Sequence, residues 1–275
     1  MKISTHHSQR AFTITDLVVL VAVVGFLGCT LLAALGNVRE KAPRTQCANN
    51  LQQLWVAFQN LANPGGVSLP QDSTSVHGTA VPLDSHTGSS LWDISNANAN
   101  LLLNAGARRP QFYCPTAPNS LADADYWWNY NGGTYKTTGY FWMFERGDTS
   151  HPFYPNFGSN GGGTPNPANN SRKLVRSLSS SPTTNFTIAT TELIADITVS
   201  EGSGNRTTDK FLNITSITAG QIINSNLFTG FQTSHTLGTA PQGGNILFLD
   251  GHVAWRPFSQ MNWVVGWSNS RYFWF

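Results

Sequence analysis

The feature that most constrains this chain is a run of nineteen residues, 17–35, without a charged side chain, bordered by Asp16. As a helix it extends roughly 28 Å at 1.5 Å per residue, close to the hydrocarbon thickness of a bilayer, about 30 Å. A secretory signal has an apolar region of about 7–15 residues that ends at a small-residue cleavage site. No A-x-A site closes this run. The sequence therefore predicts a membrane-spanning helix rather than a removed signal or a buried core helix. Lys2 and Arg10 precede it and Arg39, Lys41 and Arg44 follow it, so positive charge alone does not orient the span. Asp16 is more informative. A carboxylate at membrane depth costs about 2.5–3.5 kcal/mol at the bilayer centre and less toward the interface. A lone acid there calls for a partner.

The segment Arg10-Ala11-Phe12-Thr13-Ile14-Thr15-Asp16-Leu17, with the apolar run behind it, resembles the class III leader of type IV pilins and type II secretion pseudopilins. The resemblance implies cleavage between Ala11 and Phe12 by a prepilin peptidase on the cytoplasmic side, followed by N-methylation of Phe12. It also implies that Asp16, the fifth mature residue, pairs with the terminal amine of a neighbouring subunit. That family usually has Gly before the cut and Glu at the fifth position. Here Ala11 is small enough for a site that selects Gly, and Asp16 is one methylene shorter. Residues 1–11 carry two bases and no acid, so removing them leaves 14 basic against 14 acidic residues and lowers the formal charge from +2 to zero.

The chain accordingly divides into a leader (1–11), a transmembrane helix (12–36), an extracytoplasmic amphipathic continuation (37–63) and a β-rich globular domain (64–275). In the continuation Pro43 permits a kink. Apolar residues then recur at Leu51, Leu54, Trp55, Phe58 and Leu61, the i, i+3, i+4, i+7 stripe of a helix that packs one face on a core. Asn63-Pro64-Gly65-Gly66 ends it. Cys47-Ala48-Asn49-Asn50-Leu51-Gln52-Gln53-Leu54 resembles the segment that follows the span in a prepilin-like group abundant in planctomycete-type bacteria.

Beyond residue 66 the texture changes to short apolar runs separated by Gly, Pro, Asn and Ser. Residues 186–190, 193–194 and 214–217 read as strands. Residues 245–249 and 252–255, joined by Asp250-Gly251, read as a hairpin with a two-residue turn. Residues 159–170 read as an exposed loop and 272–275 as a last strand docked in a sheet. The expected fold is α+β: a long N-terminal helix packed on an antiparallel sheet with long loops, the pilin-like architecture. His235 followed by Asp250-Gly251 is similar to the C-terminal His…Asp-Gly signature of the same prepilin-like group, although fourteen residues separate His235 from Asp250 where nine are usual there. Tyr113-Cys114-Pro115 resembles another of its short motifs.

Three sets of residues remain. Cys29 lies in the apolar run, where it reads as a small hydrophobe. Cys47 and Cys114 would both lie outside the cytoplasm, where a disulfide persists. Such a bond closes a loop of about 67 residues and removes roughly 4 kcal/mol of unfolded-state entropy; two free thiols are the alternative. His235, Asp250 and His252, with Asp196 from another strand, form a candidate metal group, set against a plain turn residue at Asp250 and a cross-strand surface residue at His252. Twelve aromatic residues between Tyr126 and Phe157 read as core, or alternatively as a glycan-binding surface on which Trp127 and Trp142 stack on sugars.

Composition narrows the function. Charged residues are 11% of the chain, while 28 Thr, 25 Ser, 25 Asn and 25 Gly supply a polar uncharged surface. The net charge of +2 excludes a basic nucleic-acid binder. No G-x-S-x-G, H-E-x-x-H, Walker loop or C-x-x-C occurs, so the sequence names no reaction and calls for no cofactor. The expected protein is a non-enzymatic, single-pass inner-membrane subunit of a pilus or secretion pseudopilus, with an adhesive glycan-binding module as the alternative. Its expected partners are the prepilin peptidase and methyltransferase, other pilin-type subunits, and the membrane.

Overall fold

A computed structural model describes residues 13–61, 92–116, 128–129, 135–143, 164–165, 187–212, 214, 233–267 and 271–275, with the side chains of 28–40, among others, outside that description. Ala11, Phe12, Trp127 and the side chain of Cys29 lie outside the described residues. Close contacts divide the chain into two compact units, one ending at Ala42 and one running from Pro43 to Phe275.

The first unit is the N-terminal part of helix α1 (Ile14–Leu61). Its start is capped by Thr13 and Asp16 in reciprocal bonds: the Asp16 N–H donates to Thr13 Oγ1 at 3.3 Å, and the Thr13 N–H donates to Asp16 Oδ2 at 3.0 Å. This is the geometry of a capping box, with Asp in the position usually held by Glu. The Thr13 hydroxyl also donates to Asp16 Oδ2 at 2.7 Å. The large apolar side chains from Ile14 to Leu27 are exposed, from 50% at Val23 to 83% at Ile14. Among the described residues no helix is long and apolar enough to cross a membrane.

The second unit is α+β, and every strand pairing among its described residues is antiparallel. Strand β1 (Asp93–Ser95) leads into helix α2 (Asn96–Asn104) and pairs with β2 (Tyr135–Thr137). Strands β3 (Tyr140–Trp142), β5 (Glu192–Asp196), β9 (Gly243–Phe248) and β10 (Val253–Pro257) form one four-stranded sheet in the order β10-β9-β5-β3. A second, in the order β4-β11-β12-β6, joins β4 (Thr164–Pro165), β6 (Val199–Glu201), β11 (Trp263–Trp267) and β12 (Arg271–Trp274). A small hairpin of β7 (Thr236–Leu237) and β8 (Ala240–Pro241) precedes β9.

Of two core clusters among the described residues, the smaller is Phe211, Met261 and Trp274, and the larger unites most of these pieces. The helical stripe reaches it through Cys47, Leu51, Leu54 and Phe58, all fully buried, while Trp55 and Leu61 lie at its margin. The remainder mixes aromatic rings with aliphatic side chains such as Leu193, Ile194 and Leu247. Phe141 of β3 stands edge-on to Phe273 of β12 at 5.5 Å between ring centroids, and Trp92 packs on Phe273 at 5.7 Å. These rings contribute area and directional edge-to-face contacts in a domain short of Leu-rich helices.

Several expectations change here. Trp142 is not a glycan contact: it is 1% exposed, packs beside Phe112, and donates its indole N–H to Thr138 Oγ1 at 2.7 Å. The stretch read as a strand at 186–190 contains a 3-10 turn at Ile188–Thr190, closed by the Thr190 N–H donating to Thr187 O. Within the stretch read as a loop at 159–170, Thr164 and Pro165 pair with Gly266 and Val265 as β4. Residues 215–217 lie outside the described residues. The β9–β10 hairpin forms in the expected place, but its turn has three residues rather than two. Val253 pairs with Leu247, the Phe248 N–H donates to His252 O, and the Gly251 N–H donates to Phe248 O. Only Gly251 adopts positive φ, at +90°, as in a type I turn followed by one left-handed residue.

Candidate functional site

The second unit buries a cluster of polar side chains drawn from four distant parts of the chain. Cys47 comes from α1, Cys114 from the segment after a 3-10 turn at Arg109–Phe112, Asp196 from the end of β5, and His235 from the residue before β7. All four are buried, and one donor atom from each lies within 4.8 Å of every other.

Local structure fixes each member. Cys47 lies on the buried helical stripe, one turn before Leu51. Cys114 is held against the β2–β3 connection. The Gly139 N–H donates to Phe112 O at 2.8 Å, and a Cβ on Gly139 would sit 2.8 Å from the Cys114 nitrogen and 2.9 Å from Tyr113 Cα. Only glycine permits that approach. Asp196 ends β5 in register with Tyr140 of β3. His235 has φ +52°, the left-handed region, a conformation that costs roughly 1–2 kcal/mol for a residue with a Cβ. Its ring meets the Trp255 indole edge-on at 5.2 Å, and the Arg44 guanidinium covers that indole at 3.7 Å.

The polar contacts converge. The Cys47 thiol donates to Asp196 Oδ1 at 2.7 Å and lies 3.5 Å from the Tyr140 hydroxyl. His235 Nε2 lies 3.0 Å from Asp196 Oδ2 and 3.4 Å from Cys114 Sγ. Cys114 Sγ is also 3.0 Å from Thr116 Oγ1. Asn245 supports the carboxylate from outside, its backbone N–H donating to Asp196 Oδ2 at 2.6 Å and its Nδ2 donating to the same oxygen at 3.0 Å.

Electrostatics follow from this packing. Burial opposes the charged forms of both Asp196 and His235, but their mutual attraction prevails: Asp196 is held below the ordinary carboxylate range, and His235 is raised from 6.5 to about 10. Burial pushes the Cys47 thiol well up, reinforced by Cys114 and Asp196. Burial also opposes the Cys114 thiolate, yet hydrogen bonds from Cys47 and His235 and the charge on His235 bring it down to about 7. Burial, with Cys47, Cys114 and Asp196 around it, raises Tyr140 well above its usual value.

The arrangement is not a nucleophile relay. A Cys-His-Asp relay needs the acid on one ring nitrogen and the thiol on the other. Here Cys114 and Asp196 approach the same nitrogen, Nε2.

Two expectations meet in this site and both change. The Cys47–Cys114 bond is not formed, since both are free and buried. The trio His235, Asp250 and His252 does not assemble, because Asp250 and His252 belong to the exposed β9–β10 turn. There the His252 Nδ1 sits 2.5 Å from Asp250 Oδ1 and the His252 ring stacks on Phe248. His235 instead joins Asp196, the acid considered from another strand, together with the two cysteines. Nothing in the sequence marks Tyr140, Thr116 or Asn245 as partners, since each is a common residue in an ordinary run.

Part of the fourteen-residue interval between His235 and Asp250 is a closed excursion. The Thr236–Pro241 hairpin loops out, and the Gln242 N–H donates to His235 O at 2.9 Å, closing it at its base. The chain resumes at β9 beside the residue it left. Compared with protein-family models, with curated proteins and with solved structures, this chain matches none.

Proposed function

We propose that the chain is a structural subunit of a type IV pilus-like filament or type II secretion pseudopilus, anchored as a single-pass inner-membrane protein and assembled through its N-terminal helix. The observation that carries this reading is the division within α1. From Ile14 to Leu27 every large apolar side chain is exposed, whereas Cys47, Leu51, Leu54 and Phe58 are buried in an α+β core. A helix that is apolar all round belongs in lipid or among other helices. In this reading the prepilin peptidase and methyltransferase act at Ala11–Phe12, the amino terminus stays cytoplasmic, and the globular domain stands outside. Asp16 then neutralises the terminal amine of an adjacent subunit, and the protein has no catalytic role of its own.

The test separates the two roles open to Asp16. Its carboxylate caps the helix through Thr13, and Oδ1 has no partner among the described residues. Asp16→Asn keeps a cap acceptor and removes the charge, while Thr13→Ala removes the cap hydroxyl and keeps the charge. Expressed in the producing bacterium, Thr13→Ala should enter sheared filaments and Asp16→Asn should accumulate unassembled in the membrane. Mass analysis of the membrane-extracted wild type should find an N-methylated Phe12 terminus. An intact Met1 terminus, or normal incorporation of Asp16→Asn, would overturn the reading.

A further inference from the structure

We infer that Cys47, Cys114, Asp196 and His235 form a buried four-coordinate zinc site that ties α1 to the core of the globular domain. Two sulfurs, one imidazole nitrogen and one carboxylate oxygen make a donor set that zinc accepts, with bonds of about 2.0–2.3 Å. A tetrahedron on those bonds sets its ligand atoms roughly 3.3–3.8 Å apart. Here the closest cross-residue contact is 2.7 Å, between Cys47 Sγ and Asp196 Oδ1, and the widest separation is within 4.8 Å. Each pair is thus within about 1 Å of the separation a shared ion needs.

Three features favour an ion over the two simpler uses of these residues. A disulfide needs only the cysteines and leaves unexplained why a carboxylate and an imidazole are buried against both sulfurs, an arrangement whose desolvation is costly without a strong partner. A relay would spread its contacts over both ring nitrogens, whereas Cys114 and Asp196 converge on Nε2, as ligands aimed at one point do. The outer groups are also in place. Asn245 holds Asp196 Oδ2 by two hydrogen bonds, Thr116 contacts Cys114, and the Tyr140 hydroxyl contacts Cys47, which is how metal ligands are oriented. The four ligands come from sequence positions far apart, so an ion here would cross-link segments that are otherwise joined by hydrogen bonds and packing. With two thiolates and one carboxylate on Zn²⁺ the site carries one negative charge. The inference is independent of filament assembly and can fail without it.

The experiment uses the full chain, extracted in detergent, reduced, stripped with a chelator and titrated with Zn²⁺ and separately with Co²⁺. One ion should bind per chain, and the cobalt form should show sulfur-to-metal charge transfer with the intense visible bands of tetrahedral coordination. Asn245→Ala, which removes one outer hydrogen bond, should weaken zinc binding by about 10–100-fold. Asp250→Asn and His252→Ala should bind as the wild type does. Absence of the cobalt–thiolate band in the reduced wild type would overturn the site, and this result requires no variant to fold. A Cys47–Cys114 disulfide in peptide maps of the protein isolated from its own cells would overturn it equally, as would zinc affinity lost through His252 instead.

Discussion

Gly251→Ala tests the contact by which the β9–β10 turn meets the N-terminal helix. Gly251 has φ +90°, and a Cβ added there would lie 2.6 Å from Trp55 Cδ1 and closer still to Nε1. The substitution therefore carries two separable penalties. A side chain in the left-handed region costs roughly 1–2 kcal/mol. Forcing a methyl against a packed indole costs roughly 1–3 kcal/mol, because Trp55 must leave its place or the turn must shift. Together they predict a loss of about 2–5 kcal/mol, or roughly 4–20 °C in melting temperature for a unit of this size.

Near-ultraviolet circular dichroism of the full chain in detergent reads the transition, and a double-mutant cycle with Trp55→Ala divides the loss. Removing the indole abolishes the collision and leaves the backbone strain, so Gly251→Ala should cost only about 1–2 kcal/mol in that background. The coupling between the two positions is then about 1–3 kcal/mol, well above the roughly 0.3–0.5 kcal/mol within which independent sites add. Additive losses would refute the approach of the turn to the helix. A loss below about 0.5 kcal/mol for Gly251→Ala alone would refute the turn geometry itself.

Two further outcomes follow from the buried cluster. Asp196→Asn removes the charge opposite His235 and places amide hydrogens against donors from Asn245 or Cys47; in the metal-free protein it should cost about 3–5 kcal/mol by thermal unfolding, and a loss under about 1 kcal/mol would show that the pair is not buried as described. In the chelator-stripped, reduced protein, His235 is raised from 6.5 to about 10 by Asp196, so its stabilising share is fully present below pH 6.5 and is lost as pH rises through about 10. Asp196, held low, contributes above its ordinary value and loses that share as pH falls. Cys114 and Asp196 face His235, and Cys114, at about 7, adds a further charge that favours the imidazolium as pH rises. The Cys114 gain between about pH 7 and 9 offsets the His235 loss there, so melting temperature should stay roughly level over that range. It should fall from pH 9 to 10, where the raised Cys47 thiol adds to the loss; a midpoint rising between pH 9 and 10 would contradict the assignment.

How much of this was legible depends on the range of the interaction. The stripe Leu51, Leu54 and Phe58 could be read because helical spacing and burial are both local facts, and the hairpin because apolar runs flank an Asp-Gly pair. Its turn is one residue longer than the pair suggests because Asp-Gly fits both a two-residue turn and a three-residue turn with only the glycine left-handed. Ile188–Thr190 looked like strand by residue type, but Thr187 and Thr190 exchange side-chain and backbone hydrogen bonds that close the segment instead. The aromatic segment could not be divided into core and surface by composition. What fixes Trp142 inside is a hydrogen bond to Thr138 and the Phe112 ring.

The site shows the same limit from another side. Its residue types are each visible in the sequence, but as two unrelated groups: a cysteine pair, and His235 with Asp250, His252 and the more distant Asp196. Proximity in sequence favoured Asp250 and His252 as partners of His235, yet a strand alternates its faces and a turn points outward, so residues close in number were carried away from it. The hairpin at Thr236–Pro241 accounts for the rest. By leaving and returning at the same point, it keeps His235 beside β9 although fourteen residues separate His235 from Asp250. Spacing therefore misleads wherever an excursion is closed at its base, and the more reliable guide is which residues the sheet order makes neighbours. By that guide the carboxylate at the end of β5, between β3 and β9, is the acid His235 meets.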